Sequence, residues 1–229
     1  DDTLLKAMEL MDCNFWQVYG LTETNGAITF LYPEDHDVSR GKLRSCGKAA
    51  LGVGLRVVDS EDNDVPVGEV GEVIIKSDLN MKGYWNRPEA TAEAIKDGWF
   101  YSGDVGYFDD EGFLYIHDRV KDMIVSGGEN IYPAEVENAL LSHPNIADAA
   151  VIGIPDEKWG EATKAFIVQV EGEKLSEDEV ISYVRTQIAG YKCPKTVDHI
   201  NELPRNPSGK ILRKDLRAPF WEGKDRNVS

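Results

Sequence analysis

Near residue 120 of this 229-residue chain the spacing of apolar residues changes, and the change restricts the fold to two differently built parts. From about 40 to 118 the signal is β. Leu55-Arg56-Val57-Val58 and Glu72-Val73-Ile74-Ile75-Lys76 read as strands on either side of the turn-rich Asp59–Gly71 segment. Phe113-Leu114-Tyr115-Ile116 reads as another strand, entered through Asp109–Gly112. Ahead of this region Leu4, Leu5, Met8 and Met11 share one helical face, so 3–12 reads as a helix, and Phe15–Tyr19 as a strand running into Gly20.

Downstream of residue 120, helices and strands alternate. Pro133 stands at a helix start, with Val136, Ala139 and Leu140 behind it at helical spacing. Ala149–Ile154 and Ala165–Val170 are short apolar strands. Ser176 and Glu179 form a capping box that opens a helix carrying Val180, Tyr183, Val184 and Ile188, with Gly190 as its stop. A strand near Thr196–Ile200, a turn-rich loop and a short basic helix from about Ile211 complete the pattern. The expectation is an α+β chain: a β-rich part over 1–118, then a small α/β unit of about 100 residues over 119–229. The junction is expected at Arg119–Asp122.

A net charge of −16 disfavours nucleic acid as a partner, because phosphate contacts need clustered cations. The charge is uneven, however. Between Arg185 and Arg226 ten basic residues face five acids, a patch that suits either a small polyanion or plain solvation. Cys13, Cys46 and Cys193 lie far apart with no metal-ligand spacing, which fits a reducing, cytoplasmic setting. No apolar run is long enough to cross a bilayer. Asp1-Asp2-Thr3 reads neither as a signal peptide nor as a natural start, so a fragment is expected.

Four polar, glycine-marked segments interrupt the scaffold, and such loops are where function tends to sit. Tyr19-Gly20-Leu21-Thr22-Glu23-Thr24 offers two hydroxyls and a carboxylate after a strand, suited to phosphate and Mg²⁺ or, equally, to capping a helix. Trp99–Asp104 ends in Ser102-Gly103-Asp104, either a diol-binding carboxylate or an ordinary Asp turn. Asp118–Glu135 runs from dense charge to Gly127-Gly128, where glycine permits positive φ and close approach of a ligand, although a salt-bridged hairpin explains it too. Pro204–Arg213 holds Lys210 after a Pro-Ser-Gly loop, on what reads as a mobile tip. The G-x-x-x-x-G-K spacing of a P-loop is absent, and Gly52-Val53-Gly54 is only half of a Rossmann fingerprint.

In this order and spacing, together with Gly83-Tyr84-Trp85-Asn86-Arg87-Pro88-Glu89-Ala90-Thr91 and Pro155–Glu161, these segments resemble the adenylate-forming superfamily of acyl-CoA synthetases, adenylation domains and luciferases. The nearest likeness is to bacterial fatty-acyl-CoA synthetases, and it extends over essentially the whole chain. The resemblance implies the β-rich tail of a large AMP-binding domain followed by a small mobile lid domain. It implies activation of a carboxylic acid, a medium- or long-chain fatty acid by overall likeness, with ATP and Mg²⁺ to acyl-AMP. Transfer to CoA follows. Loading of a carrier protein, or service as a non-catalytic interaction module, are the alternatives. A lipid substrate would also bring peripheral membrane contact.

By the same resemblance Tyr19 stacks on adenine, Thr22 binds phosphate, Glu23 holds Mg²⁺, and Asp104 and Arg119 bind ribose. Lys210 bridges phosphate and carboxylate oxygens during adenylation, and Lys121 is the hinge. Ser126, Gly127 and Gly128 line the pantetheine tunnel. Trp159 and Tyr191 lie near the nucleotide end of CoA, with Lys192 and Lys195 at its phosphates. Cys193 stands where relatives carry a basic residue. The family's Ser/Thr/Gly-rich phosphate loop is not among these residues.

Overall fold

The structure, a computed structural model, describes residues 2–223; Asp1 and 224–229, with Lys224, Asp225 and Arg226 of the basic stretch, lie outside them. The chain divides into two compact units, Asp1–His117 and Asp118–Ser229.

The first unit opens with α1 (Asp2–Leu10), β1 (Gln17–Leu21), β2 (Gly26–Leu31) and the two-residue β3 (Lys48–Ala49). β4 (Gly54–Val58), β5 (Gly71–Lys76), α2 (Pro88–Ala94), β6 (Ile95–Lys96), β7 (Trp99–Phe108) and β8 (Leu114–Arg119) follow, the last running across the division. β1-β2-β3 form one antiparallel sheet. β4-β5-β7-β6 form a second, with β8 beside β7. Ile28, Val57, Val73, Ile75, Phe100 and Leu114 make a shared core, with Tyr19 and Leu21 packed against it.

The stretch expected to be β contains one helix, α2, opened by Pro88 at its first position, and two further expectations change. β1 begins at Gln17 and passes through Gly20 instead of stopping there. The reason is close approach: a Cβ on Gly20 would lie 2.1 Å from the Gly26 carbonyl oxygen, so only glycine lets β1 and β2 pair through this point. Ser102-Gly103-Asp104, expected as a turn, lies inside the ten-residue β7. Glu72 pairs with Val105 but Ile74 with Tyr101, so β7 carries extra residues opposite β5, a bulge with Gly103 at φ +68°.

The second unit contains β9 (Ile124–Ser126), β10 (Glu129–Ile131), α3 (Pro133–Leu141), β11 (Ile146–Asp156), β12 (Gly160–Gln169), α4 (Glu177–Gln187), β13 (Thr196–His199) and α5 (Arg213–Trp221). Its sheet runs β10-β9-β12-β11, with β13 parallel to β12. Both faces of β11 are covered, which is why Ala149–Ile154 reads as an unbroken apolar run. Ala149 and Val151 pack with Val136, Leu140, Val180 and Val184 of α3 and α4. Ala150 and Ile152 pack on the other side with Phe166, Leu203, Leu216 and Phe220, the last two from α5. β11 and β12 are longer than the apolar runs because they pair as one hairpin from Ile146–Gln169 to Asp156–Gly160.

The capping box forms as expected. Ser176 Oγ accepts from the Glu179 amide at 3.3 Å, and Glu179 Oε2 accepts from the Ser176 amide at 2.8 Å. The helix, however, ends at Gln187, three residues before Gly190. Ile188 is already extended (φ −134°, ψ 167°) and packs on the core, and Gly190 opens a 3₁₀ turn, Gly190–Lys192. Among the described residues no helix is long and apolar enough to cross a membrane.

Candidate active site

In the first unit the strands bring Tyr19 and Asp104 together. Tyr19 Oη donates to Asp104 Oδ2 at 2.6 Å, 85 residues away in sequence. The bulge in β7 aims Asp104, and hydrogen bonds hold it on three sides. Ser102 Oγ donates to the Val73 carbonyl at 2.6 Å and accepts from the Asp104 amide at 3.0 Å, while the Gly103 amide donates to Glu72 Oε1 at 2.9 Å. Asp104 is 4% exposed. Burial, reinforced by the Asp104 charge, raises the Tyr19 phenol far above its ordinary value, so it stays protonated and remains a donor.

Thr22, Glu23 and Thr24 form a 3₁₀ turn straight after β1. The two threonines have separate jobs. Thr24 is fully buried, and its hydroxyl accepts from the Leu21 amide at 2.9 Å and donates within the turn to the Leu21 or Gly26 carbonyl, each also at 2.9 Å. Thr22 is exposed. Glu23 is half-buried, and Tyr84 Oη donates to its Oε1 at 3.0 Å. Tyr84, which the reading of the residues had not singled out, also lines an open cleft with Trp85, Asn86, Pro88 and Thr91. Among the described residues no group of three or more His, Cys, Asp or Glu could cage a metal ion. A lone carboxylate such as Glu23 fits an ion like Mg²⁺, which commonly arrives with phosphate ligands and keeps waters.

In the second unit Arg119 and Lys121 are exposed, on either side of Val120 at the end of β8. The segment around them is anchored. The Asp118 carboxylate accepts from the Arg119 and Ala134 amides, each at 2.8 Å. Arg217 pairs with Asp122 at 3.1 Å and donates to the Lys121 carbonyl at 3.0 Å. One turn earlier on α5, Arg213 makes a two-pronged pair with buried Glu137, at 3.2 and 2.6 Å. Burial pushes the Glu137 carboxyl up, with Arg213 opposing it. These two arginines are a further omission of the sequence reading, because nothing local couples residues up to 96 positions apart.

Gly127 (φ +63°) and Gly128 (φ +88°) form the two-residue turn between β9 and β10. Trp159 lies over it: a Cβ on Gly127 would sit 2.7 Å from the indole ring. The Gly127 amide donates to the Trp159 carbonyl at 2.8 Å, and Ser126 pairs with Gly160. Lys158 Nζ stands 4.4 Å from the indole centroid. The expected phosphate cations differ from one another. Lys195 is exposed, but Lys192 Nζ bonds both oxygens of Glu135 at 2.7 Å and reaches a phosphate only by giving that pair up. Tyr191 is exposed beside them, and Cys193 is buried in the core.

Lys210 is exposed, yet its loop is not the loose tip expected of Pro-Ser-Gly. Arg205 bridges to Ile211 across the loop base, and the Leu212 amide donates to the Pro204 carbonyl at 2.8 Å. The Asn206 amide donates to the Lys210 carbonyl at 2.9 Å, and Asn206 Oδ1 accepts from the Lys210 amide at 2.9 Å. Asn206 is a third omission.

Sequence models of known families match in two places: AMP-binding enzyme over residues 1–85 and AMP-binding enzyme C-terminal domain over residues 135–210. The first stretch includes Tyr19, Thr22, Glu23 and Tyr84, and the second Trp159, Tyr191, Lys192, Lys195 and Lys210. A fatty acid–[acyl-carrier-protein] ligase, ScoC, of Streptomyces coeruleorubidus is 42% identical over 99% of this chain and 44% of its own length. The long-chain-fatty-acid–CoA ligase FadD13 of Mycobacterium tuberculosis is 45% identical over 96% of this chain and 42% of its own length. The o-succinylbenzoate CoA synthetase of Bacillus subtilis, solved with its acyl-adenylate intermediate, matches with a TM-score of 0.84 and 39% identity over 100% of this chain and 44% of that one. The same enzyme solved with ATP and magnesium gives a TM-score of 0.82 and 40% identity over 93% and 43%. The chain therefore spans less than half the length of these relatives. Its two matched stretches fall one in each unit, and the chain belongs to the AMP-binding enzyme family of adenylate-forming enzymes.

Proposed function

We propose that the whole protein is an AMP-forming acid–thiol ligase that joins a carboxylic acid to a thiol through acyl-AMP. The observation that carries this reading is Lys210. It is an exposed cation on a hydrogen-bonded loop, within a stretch matched by the family's C-terminal domain.

In the first half-reaction a carboxylate oxygen attacks the α-phosphorus of ATP; the new acyl–phosphate bond forms as pyrophosphate leaves. Negative charge gathers on the phosphoryl and carboxyl oxygens, and the Lys210 ammonium would neutralise it. The exposed Thr22 hydroxyl donates to a phosphate oxygen. The Tyr19 ring stacks on adenine while its hydroxyl donates to Asp104, which accepts from the ribose hydroxyls, and Arg119 supplies the second ribose contact. The Glu23 carboxylate, held by Tyr84, would bind Mg²⁺, which offsets phosphate charge when bound. In the second half-reaction the thiol attacks the acyl carbon and AMP leaves. Residues 119–229 would act as the lid and turn about Lys121 between the two steps. Ser126, Gly127 and Gly128 would then line the thiol's path, with Trp159, Tyr191 and Lys195 near its nucleotide end.

Free CoA is the preferred thiol, because the exposed Trp159 indole with the Lys158 ammonium over its ring pairs an aromatic group and a cation, the two kinds of group that meet an adenine and its phosphates. A carrier protein is the second reading, favoured by the name of the Streptomyces coeruleorubidus relative. A medium- or long-chain fatty acid is the first choice of substrate.

The test is pyrophosphate release by the whole protein with ATP, Mg²⁺ and acetate, decanoate, palmitate or benzoate, followed by addition of CoA or of an acyl carrier protein. Fastest turnover with decanoate or palmitate and thioester on CoA supports the reading. Release with none of the acids refutes the ligase. Transfer to the carrier alone replaces CoA.

A further inference from the structure

Lys210 is delivered by a built loop, and its architecture names a residue with no assigned role. Asn206 Oδ1 accepts three hydrogen bonds: from the Ser208 amide at 3.0 Å, the Ser208 hydroxyl at 2.8 Å and the Lys210 amide at 2.9 Å. The backbone of Asn206 adds two more, donating to the Lys210 carbonyl at 2.9 Å and accepting from the Gly209 amide at 2.9 Å. Both backbone polar groups of Lys210 thus end on one residue. Gly209 sits at φ +84°, the conformation that turns the chain back towards Asn206. Arg205 ties this turn to the sheet, donating to the Gly209 carbonyl and to Asp148 Oδ2, each at 2.6 Å.

We propose that Asn206 is the positioning residue for Lys210, fixing the lysine backbone so that its ammonium is presented in one direction before substrate arrives. The inference rests on the reading of Lys210 given above. Asn206 need touch no substrate. Its effect is to remove the search that a loose loop would make for its productive pose. An error of about 1 Å in placing a catalytic group can cost on the order of a hundredfold in rate. Because every side-chain bond of Asn206 described here is accepted by Oδ1, an Asp retains the function and an Ala loses it.

The test uses the whole protein with the acid that turns over fastest in the panel above. Acyl-AMP formation is followed as pyrophosphate release without thiol, and the second step as thioester formation from supplied acyl-AMP. Asn206→Ala is expected to slow the first step about 10- to 100-fold. Its KM for ATP and its second step should change less than about twofold on the same argument, since only Lys210 is misplaced. Asn206→Asp should recover most of the loss. Equal loss in both steps, no loss in either, or failure of Asn206→Asp to rescue would each overturn the proposal. Lys210→Ala is run beside them. If it leaves acyl-AMP formation intact, the reading of Lys210 falls and takes this inference with it. If it blocks that step while Asn206→Ala does not, only the role of Asn206 falls.

Discussion

The two units hold their candidate residues in opposite ways. In the first, strands do the holding: Tyr19 on β1 and Asp104 on β7 are joined side chain to side chain and packed at a core. In the second, turns do it: Lys210 and Gly127-Gly128 sit at tight reversals braced by backbone hydrogen bonds, while the Lys210 side chain is exposed. A carboxylate buried with its donor is suited to recognising a ligand that stays. A cation projecting from a stiff turn is suited to acting at one moment and withdrawing. Ion pairs do not follow this division: Arg213–Glu137 in the second unit and Lys42–Asp109 in the first are largely buried, whereas Arg56–Asp64 in the first is on the surface.

The strongest test separates the two half-reactions. Lys210→Ala in the whole protein should lower acyl-AMP formation about 100- to 1,000-fold, the range seen when one stabilising donor of a developing oxyanion is removed. Thioester formation from supplied acyl-AMP should survive. Lys121→Pro should do the reverse, because proline fixes φ near the helical value of the 3₁₀ turn Val120–Asp122 and denies the hinge any other. Rates of the two steps, measured separately, decide both cases. Arg213→Ala, by leaving Glu137 buried without its cation, should cost about 3 kcal/mol in urea unfolding of the chain. Arg56→Ala should cost less than about 1 kcal/mol, as expected for a solvated pair. Similar losses in the two variants would erase the contrast between buried and surface pairs.

Smaller effects follow on the recognition side. Tyr19→Phe removes the donor to Asp104, so the KM for ATP should rise about tenfold, the size of one hydrogen bond to a charged group. The rate of acyl-AMP formation at saturating ATP should change little. The smallest effect concerns acid. The Ser176 amide and hydroxyl hold the Glu179 carboxyl below its ordinary value. Its contribution is therefore present above the usual carboxylate range and lost as pH falls through the depressed value. Glu179→Gln should lower the urea midpoint at pH 7, and the difference from the parent chain should shrink as pH falls below the ordinary carboxylate range. A difference that grows towards acid would reverse the sign.

Local chemistry made much of this molecule legible. The capping box at Ser176 and Glu179, the helix start at Pro133 and the Gly127-Gly128 reversal are each specified by two to four neighbouring residues. What the residues alone did not reveal depends on pairing across the fold. The strand through Gly20 requires the Gly26 carbonyl alongside it, and the bulge at Ser102–Asp104 requires β5. Tyr84 reaches Glu23 from 61 positions away. Asn206 was within range, since Asn two residues before Ser and four before Lys is a turn-forming arrangement. The roles of Tyr19, Asp104 and Lys210 came from family resemblance, and their spacing by itself left them ambiguous.

The indole of Trp159 resting on Gly127 has a consequence for how this lineage can vary. Position 127 is closed to a side chain by two independent barriers, a left-handed backbone and a ring 2.7 Å from where Cβ would stand. Shrinking Trp159 lifts only the second. A change at 159 is therefore open without a change at 127, while the opposite order is blocked. Among descendants of a common ancestor, the glycine should outlast the tryptophan, and a non-glycine at 127 should occur only with both a smaller residue at 159 and a reshaped reversal.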